Sequence, residues 1–364
     1  MSQILFSNIR LARLFNGLSL AELGEKLDRS KQFLSRIETG AEPVSSSLEQ
    51  ALIDHLGILP EFLRHIDPMP LTEEQCHFRK QLTTKVALRQ YARARGEMLK
   101  RLVCVLDDYL DLPEYHIKEA DPSSEESIER GAEQCRAEWG LGWGPISNVT
   151  RVAENAGAVV MRVNGLANEV DAVSFATRRP VIALNSSGRS ACRARFGVAH
   201  ELGHFALHIG VLTGDRLTET QANRFASAFL LPRASFLSES HKAIRRSRLN
   251  WDGLSELKLR WGVSKSALIY RGRQLGVFTD DQVRAGYITL KRHGEAIEER
   301  EDANMPVESP EVVTEGLQMM TDDLGVPLAA VARKMCVHPR LLDDLLGRAP
   351  VERGAEVVNL FSSS

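Results

Sequence analysis

The sequence predicts a mainly α chain with one α+β domain near its middle. Three observations carry that prediction. Apolar residues recur at helical spacing along most of the chain, three short β-branched runs cluster between residues 158 and 185, and a polar, proline-bearing break, "DPSSEES", stands at 121–127. A length of 364 residues allows two or three domains with buried cores. Hydrophobic residues at 43% and charged residues at 26% are ordinary for a globular chain, and no apolar stretch is long enough to span a bilayer. No membrane role is expected, no signal-peptide h-region is seen, and the expected location is cytoplasmic. Net charge is −2, so the whole chain makes no electrostatic case for nucleic acid, and any DNA contact must come from a local surface. The five cysteines include no CxxC pair and read as reduced, mostly packed thiols.

Each element has a local reason. "IRLARLF" spaces Ile9, Leu11, Ala12 and Phe15 as one helical face. In "SLAELGEKL", Ser19 is an expected N-cap and Glu22 completes a capping box. "DRSKQFLSRIETG" follows, with Ser30 as a cap and Gly40 as a C-terminal stop. "SLEQALIDHLGI" is a further helix. A long helical connector is expected over 77–112, basic in its first half. After the break come two helices, "SIERGAEQCRAEWGL" and "ISNVTRVAENAG", and then the strands "AVVMRVN", "AVSFAT" and "PVIALN". A helix opening near Ala191 carries "RFGVAHELGHFALH", and "ETQANRFASAFLL" ends at Pro232. "LSELKLRWGVSKSALIYRGRQLG" holds two helices split by Gly262, with Trp261, Leu268 and Leu275 suited to a core. The charged run "RHGEAIEEREDANMPVESPE" is expected to be a linker or loop. "LAAVARKMCVHPRLLDDLLG" adds two short helices, in which Cys336 and His338 are read as structural.

The chemistry lies in "HELGH". On a helix, positions i and i+4 share a face about 6 Å apart. His200 and His204 can therefore bind one Zn2+ per chain. Glu201 lies about 100° around the helix, at the edge of that face, where it can take a proton from a zinc-activated water as general base. A third ligand is needed. Glu219, at the start of the next helix, is the first choice, and Asp215, in the connecting loop, is the second. His208 extends the i+4 series, but three ligands on one straight helix would span two turns, so it reads as supporting or packing. Gly203 costs helix stability and implies close backbone approach.

The segments "GPISNVTRVAENAGAVVMRVN", "VDAVSF", "PVIALN", "RARFGVAHELGHFALH" and "ETQANRFASAFLLP", in this order, resemble the ImmA/IrrE family of zinc metallopeptidases over about 128–240. The resemblance implies a zincin-like domain with a small sheet, His200, His204 and Glu219 as ligands, and Glu201 as base. By analogy, the sheet edge would hold substrate as an added strand.

The N-terminal segment has the order a helix-turn-helix needs. Ala21, Leu23, Leu27, Leu34 and Ile37 are expected to pack inside, and Lys31, Gln32 and Arg36 to face outward. Gln pairs with adenine and Arg with guanine, while Ser19, Ser30 and Thr39 are candidate phosphate contacts. Over about 9–62 the segment resembles the XRE, or Cro/C1-type, family. This implies a double-stranded DNA operator and a two-fold homodimer.

The expected organisation is a helix-turn-helix bundle at 1–66, a helical connector at 67–120, a metallopeptidase-like domain at 121–240, a second helix-turn-helix-like region at 241–300, suited to packing or a partner, and a C-terminal helical region at 301–364. The expected function is a DNA-binding transcriptional regulator carrying a zinc endopeptidase that cleaves a partner repressor, a toxin partner or itself. The resemblance also brings mobile-element, stress-response and toxin–antitoxin contexts. The alternative is a non-proteolytic regulator or antitoxin that uses the peptidase fold as a sensor or scaffold.

Overall fold

A computed structural model describes residues 4–72, 75–78, 86–163, 172–186 and 190–348. Residues 1–3 of the expected N-terminal bundle, 73–74 and 79–85 of the expected connector, Asn164 of the first strand-like run, Val170 and Asp171 of "VDAVSF" and 349–364 of the expected C-terminal region lie outside the described residues. The chain opens with α1 (Phe6–Phe15), α2 (Leu20–Leu27), α3 (Lys31–Glu38) and α4 (Ser46–Leu56). The short strand β1 (Cys76–Phe78) and the long α5 (Val86–Tyr109) follow. Next come α6 (Glu125–Glu138), α7 (Val149–Asn155), β2 (Val159–Val163), β3 (Ala172–Phe175) and β4 (Val181–Asn185). The helices α8 (Ala191–Leu207), α9 (Arg216–Leu230) and α10 (Arg233–Glu239) lead to a ribbon of β5 (Ile244–Arg245) and β6 (Arg248–Leu249). Last are α11 (Trp251–Trp261), α12 (Lys265–Gln274), α13 (Asp280–Arg292), α14 (Val312–Asp322), α15 (Leu328–Lys334) and α16 (Pro339–Leu345).

The capping chemistry behaves as local rules require. Ser19 and Glu22 form a reciprocal capping box, and Ser30 Oγ accepts from Phe33 N. Gly24 has no room for a side chain: a Cβ there would meet the Arg29 carbonyl at 2.5 Å, so the tight turn between α2 and α3 demands glycine. Arg13 braces this unit from within. Its guanidinium makes bonds of 2.6 and 2.8 Å to Glu38 and one of 2.7 Å to the Leu18 carbonyl. Leu23, Leu34 and Ile37 are buried and Leu27 is half-buried, but Ala21 is exposed and takes no part in the packing expected of it.

One four-stranded sheet, ordered β1-β3-β4-β2, partitions the chain. Because side chains alternate along a strand, one face presents Val159, Met161, Val173, Phe175, Val181 and Ala183 to a core shared with α1–α5 and α14–α16. The other presents Val160, Ala172, Ile182 and Leu184 to a core built by α6–α9 and α11–α13. The C-terminal helices therefore return to the N-terminal unit. Leu59 N bonds the Cys336 carbonyl at 2.9 Å, His338 N bonds the Gly57 carbonyl at 2.9 Å, and Arg95 pairs with Asp344 at 2.8 Å.

Two further expectations are corrected. The helix expected throughout 77–112 opens instead with β1, which pairs antiparallel with β3, and α5 begins at Val86. Nothing local marks three residues as a strand; β3 supplies the partner. The charged run after α13 is no loose linker. Its Glu295, Glu299 and Glu308 are buried. Lys258 Nζ bonds Glu299 at 2.7 Å, and Lys265 Nζ bonds Glu295 at 2.8 Å and Glu301 at 2.9 Å. Burial pushes the Glu301 carboxyl up, but hydrogen bonds from Ser255 and Lys265 win and hold it at about 2. Among the described residues, no helix is long and apolar enough to cross a membrane.

Candidate metal centre

The site is assembled by α8 and α9 packed together. Gly203 makes the approach possible: a Cβ there would meet Phe225 Cβ at 3.1 Å and the Ala222 carbonyl at 3.2 Å. The α9 N-terminus is capped by Asp215, whose carboxylate accepts from Thr218 N at 2.8 Å. Bonds from the Thr218 backbone and hydroxyl hold that carboxyl below its usual range. Asp215, the second candidate for third ligand, is therefore engaged as a helix cap, and Glu219, one turn on, faces the histidines.

His200, His204 and Glu219 bring one ligand atom each within 4.8 Å of one another. The two Nε2 atoms are 3.1 Å apart, and the Glu219 oxygens lie 3.6 Å from His200 Nε2 and 3.4 Å from His204 Nε2. Tetrahedral zinc with bonds of about 2.0–2.1 Å places its ligands about 3.3 Å apart. The donor spacing fits that ion.

The surrounding bonds decide which nitrogens carry protons. Gln221 Nε2 donates to the Pro122 carbonyl at 2.9 Å, which turns its Oε1 toward His208 Nε2 at 2.9 Å. His208 thus donates from Nε2 and accepts at Nδ1, where His204 Nδ1 lies 2.9 Å away. His204 must donate there, leaving a lone pair on Nε2. His200 Nδ1 faces Asn223 Oδ1 at 3.0 Å, with the same consequence. Two lone pairs 3.1 Å apart repel unless a cation lies between them. Burial pushes His204 down to about 3, with a smaller contribution from repulsion by His208 in its protonated form, and burial likewise lowers His208. His208 is thus a link in a relay from His204 that ends on the Pro122 carbonyl; Gln221 and Pro122 in that relay, and Asn223 beside His200, are residues that sequence reasoning missed. Because such outer partners orient metal ligands, Gln221→Leu is expected to weaken zinc binding by roughly 10–100-fold. Chelator competition measures this, and an unchanged affinity would show that the relay does not orient His204.

Glu201 is buried beside this trio but is not part of it. Its Oε2 accepts from Ser174 Oγ of β3. A cavity of about 260 Å³ opens next to His200 and Glu201, lined by Phe196, Tyr270, Tyr287 and Ile297 among others. Its far wall comes from α12, α13 and the charged segment, so the groove is walled, not sealed, by C-terminal elements. A further residue was not foreseen at all: His77 of β1 stacks on His204, ring centroids 4.9 Å apart and 4° from parallel, and its Nδ1 contacts Thr213 Oγ1 at 2.8 Å.

On the N-terminal unit, Lys31, Gln32 and Arg36 lie exposed along α3, with Arg36 in a 3.4 Å ion pair with Glu42. Ser19 and Ser30 stand at the N-termini of α2 and α3 as caps. The Thr39 hydroxyl donates back to the Ser35 and Arg36 carbonyls at 3.0 and 3.1 Å, which engages its proton within the helix end.

Residues 153–272 match the family model for the IrrE N-terminal-like domain. Residues 8–65 match a helix-turn-helix domain. The first match ends at Gly272, so it takes in α11 and all but the last two residues of α12. The chain matches no curated protein sequence.

Proposed function

We propose that this chain, a helix-turn-helix DNA-binding unit fused to an ImmA/IrrE-type domain, is a transcriptional regulator whose second domain is a zinc-dependent endopeptidase. Its substrate in this reading is a regulatory protein: a partner repressor, a toxin partner or the chain itself. The observation that carries the reading is the convergence of two imidazole lone pairs and a carboxylate at zinc spacing, with a second carboxylate one residue from the first histidine.

His200, His204 and Glu219 would hold the ion, which when bound supplies Lewis acidity toward a peptide carbonyl and lowers the pKa of water. The chain's own residues do the rest. Glu201 accepts the proton from water and later returns it to the leaving amine. Ser174 orients that carboxylate from the sheet. The cavity beside them has the size and the aromatic lining for one large substrate side chain. On the reader, the exposure of Gln32 and Arg36 supports a role at adenine and guanine edges, with Lys31, Ser19 and Ser30 assigned to phosphates in this reading. One recognition helix per chain supports a homodimer on a two-fold operator.

One set of measurements tests both halves. The purified chain is expected to hold one zinc and to lose it in Glu219→Ala. On an operator selected by the parent from random duplexes, Gln32→Ala and Arg36→Ala are each expected to cost roughly 1–3 kcal/mol of binding without changing zinc content. A chain that takes up no zinc after supplementation sinks the metal half, and full operator affinity in both variants sinks the mapping of the reader.

A further inference from the structure

We propose that at rest the chain fills the outer edge of β3, the edge at which the family resemblance sets an extended substrate, with its own inter-domain segment, β1. The inference rests on the reading of α8 as a peptidase helix and adds the state of the site.

The register places β1 over the chemistry. Cys76 lies opposite Phe175, His77 opposite Ser174 and Phe78 opposite Val173, all antiparallel. Ser174 is the residue that holds Glu201. The backbone position opposite Ser174 is thus the one beside the candidate base, and His77 occupies it with its ring laid on the ligand His204. A polypeptide that paired with β3 in this way would bring its own main chain past His204 and Glu201. It cannot do so while β1 is there, because an edge has one row of hydrogen-bonding groups to offer. The cavity marks where such a segment continues. It is lined by Ala172, the residue of β3 just past the Phe78–Val173 pair, together with His200 and Glu201.

β1 is also built to leave. It is three residues long and joins the sheet through β3 alone. His77 Nε2 is buried with no hydrogen-bond partner among the described residues, so seating β1 leaves a polar atom unsatisfied. The segment lies between the DNA reader and α5. On its reader side, Lys100 of α5 holds Asp67 at 2.6 Å, and Glu97 accepts from Leu71 N.

The probe is a fluorescent synthetic peptide with the sequence of residues 70–84, "PLTEEQCHFRKQLTT", added to the full chain with chelator present so that nothing is cut. The parent is expected to bind it weakly. His77→Pro removes a ladder N–H and the stacked ring, and is expected to bind at least about tenfold tighter. Thr213→Val releases the His77 anchor without touching β1 and is expected to bind several-fold tighter. Phe78→Cys with Val173→Cys, oxidised to a cross-strand disulfide, is expected to exclude the peptide until reduced. Equal affinity in the parent, His77→Pro and Thr213→Val, with parent-like circular dichroism, overturns the proposal. If His77→Pro does not fold, Thr213→Val and the disulfide pair decide it by the same criterion. The readout needs neither zinc nor hydrolysis. Uptake that depends on β1 in a chain that never cleaves keeps this proposal and removes the peptidase reading, while cleavage of a partner with equal peptide affinities does the reverse.

Discussion

In the proposed zinc endopeptidase, Glu201→Gln is expected to abolish cleavage while the chain keeps its fold and its zinc. The substitution is close to isosteric, and an amide oxygen can still accept from Ser174 Oγ. What it cannot do at neutral pH is take a proton from water. General-base catalysis contributes roughly 10²–10⁴-fold, and a loss of that order is the expected result. Zinc content should stay at the parent level because Glu201 lies outside the trio of His200, His204 and Glu219. The measurement is a mass-spectrometric census of new protein N-termini in cells expressing parent or variant, beside metal analysis of each purified chain. New termini that persist in the variant would remove Glu201 from the mechanism. Intact regulation of the operator with no new termini in either strain favours the alternative of a non-proteolytic regulator that uses the fold as a sensor or scaffold.

Glu308→Ala is expected to cost about 3–5 kcal/mol of stability, as when one partner of a buried pair is deleted. One carboxylate does three things at once. It accepts from Val149 N at 2.9 Å and Thr150 N at 2.8 Å, closing the start of α7, and it pairs with Arg195 of α8. Both side chains are nearly buried, at 6% and 5% exposure, so removing Glu308 strands a guanidinium. Arg195 would keep only the carbonyls of Gly262, Ile146 and Ser147. Those engage three of its five N–H groups and do not neutralise its charge. Urea unfolding of parent and variant measures the difference, and a loss under about 1 kcal/mol would place the pair among ordinary surface contacts. Because Arg195 lies on the helix of His200 and His204, zinc affinity should fall in the same variant.

The extent to which each feature was legible follows from how local its cause is. Ser19 with Glu22, and Ser30 with Phe33, could be read because a cap depends on three residues of chain. The His200–His204 pair was legible for the same reason, since one turn of helix sets its geometry. Glu219 required a guess about two helices meeting, and α8 and α9 do bring it to the histidines. Gln221 and Asn223 follow Glu219 by two and four residues, and no spacing rule distinguishes them from any polar residue on α9. Ala21 was assigned inward on pattern alone, while the turn of α2 leaves it exposed.

By itself, then, the sequence determined most of the helical elements, though not α10, α13 or α14, together with the strand runs of the small sheet, the turn of the DNA-reading unit and the histidine pair, because periodicity and capping act over a few residues. Tertiary structure alone decided that Cys76–Phe78 is a strand, that His77 lies against His204, that Glu308 closes α7 from far along the chain, and that α14–α16 return to the N-terminal core. Each of these is a contact between distant segments in which one side offers an unmet need: an open sheet edge, a buried charge or an uncovered apolar face. The partner that meets it is selected by the packed fold and leaves no periodic trace in its own neighbourhood.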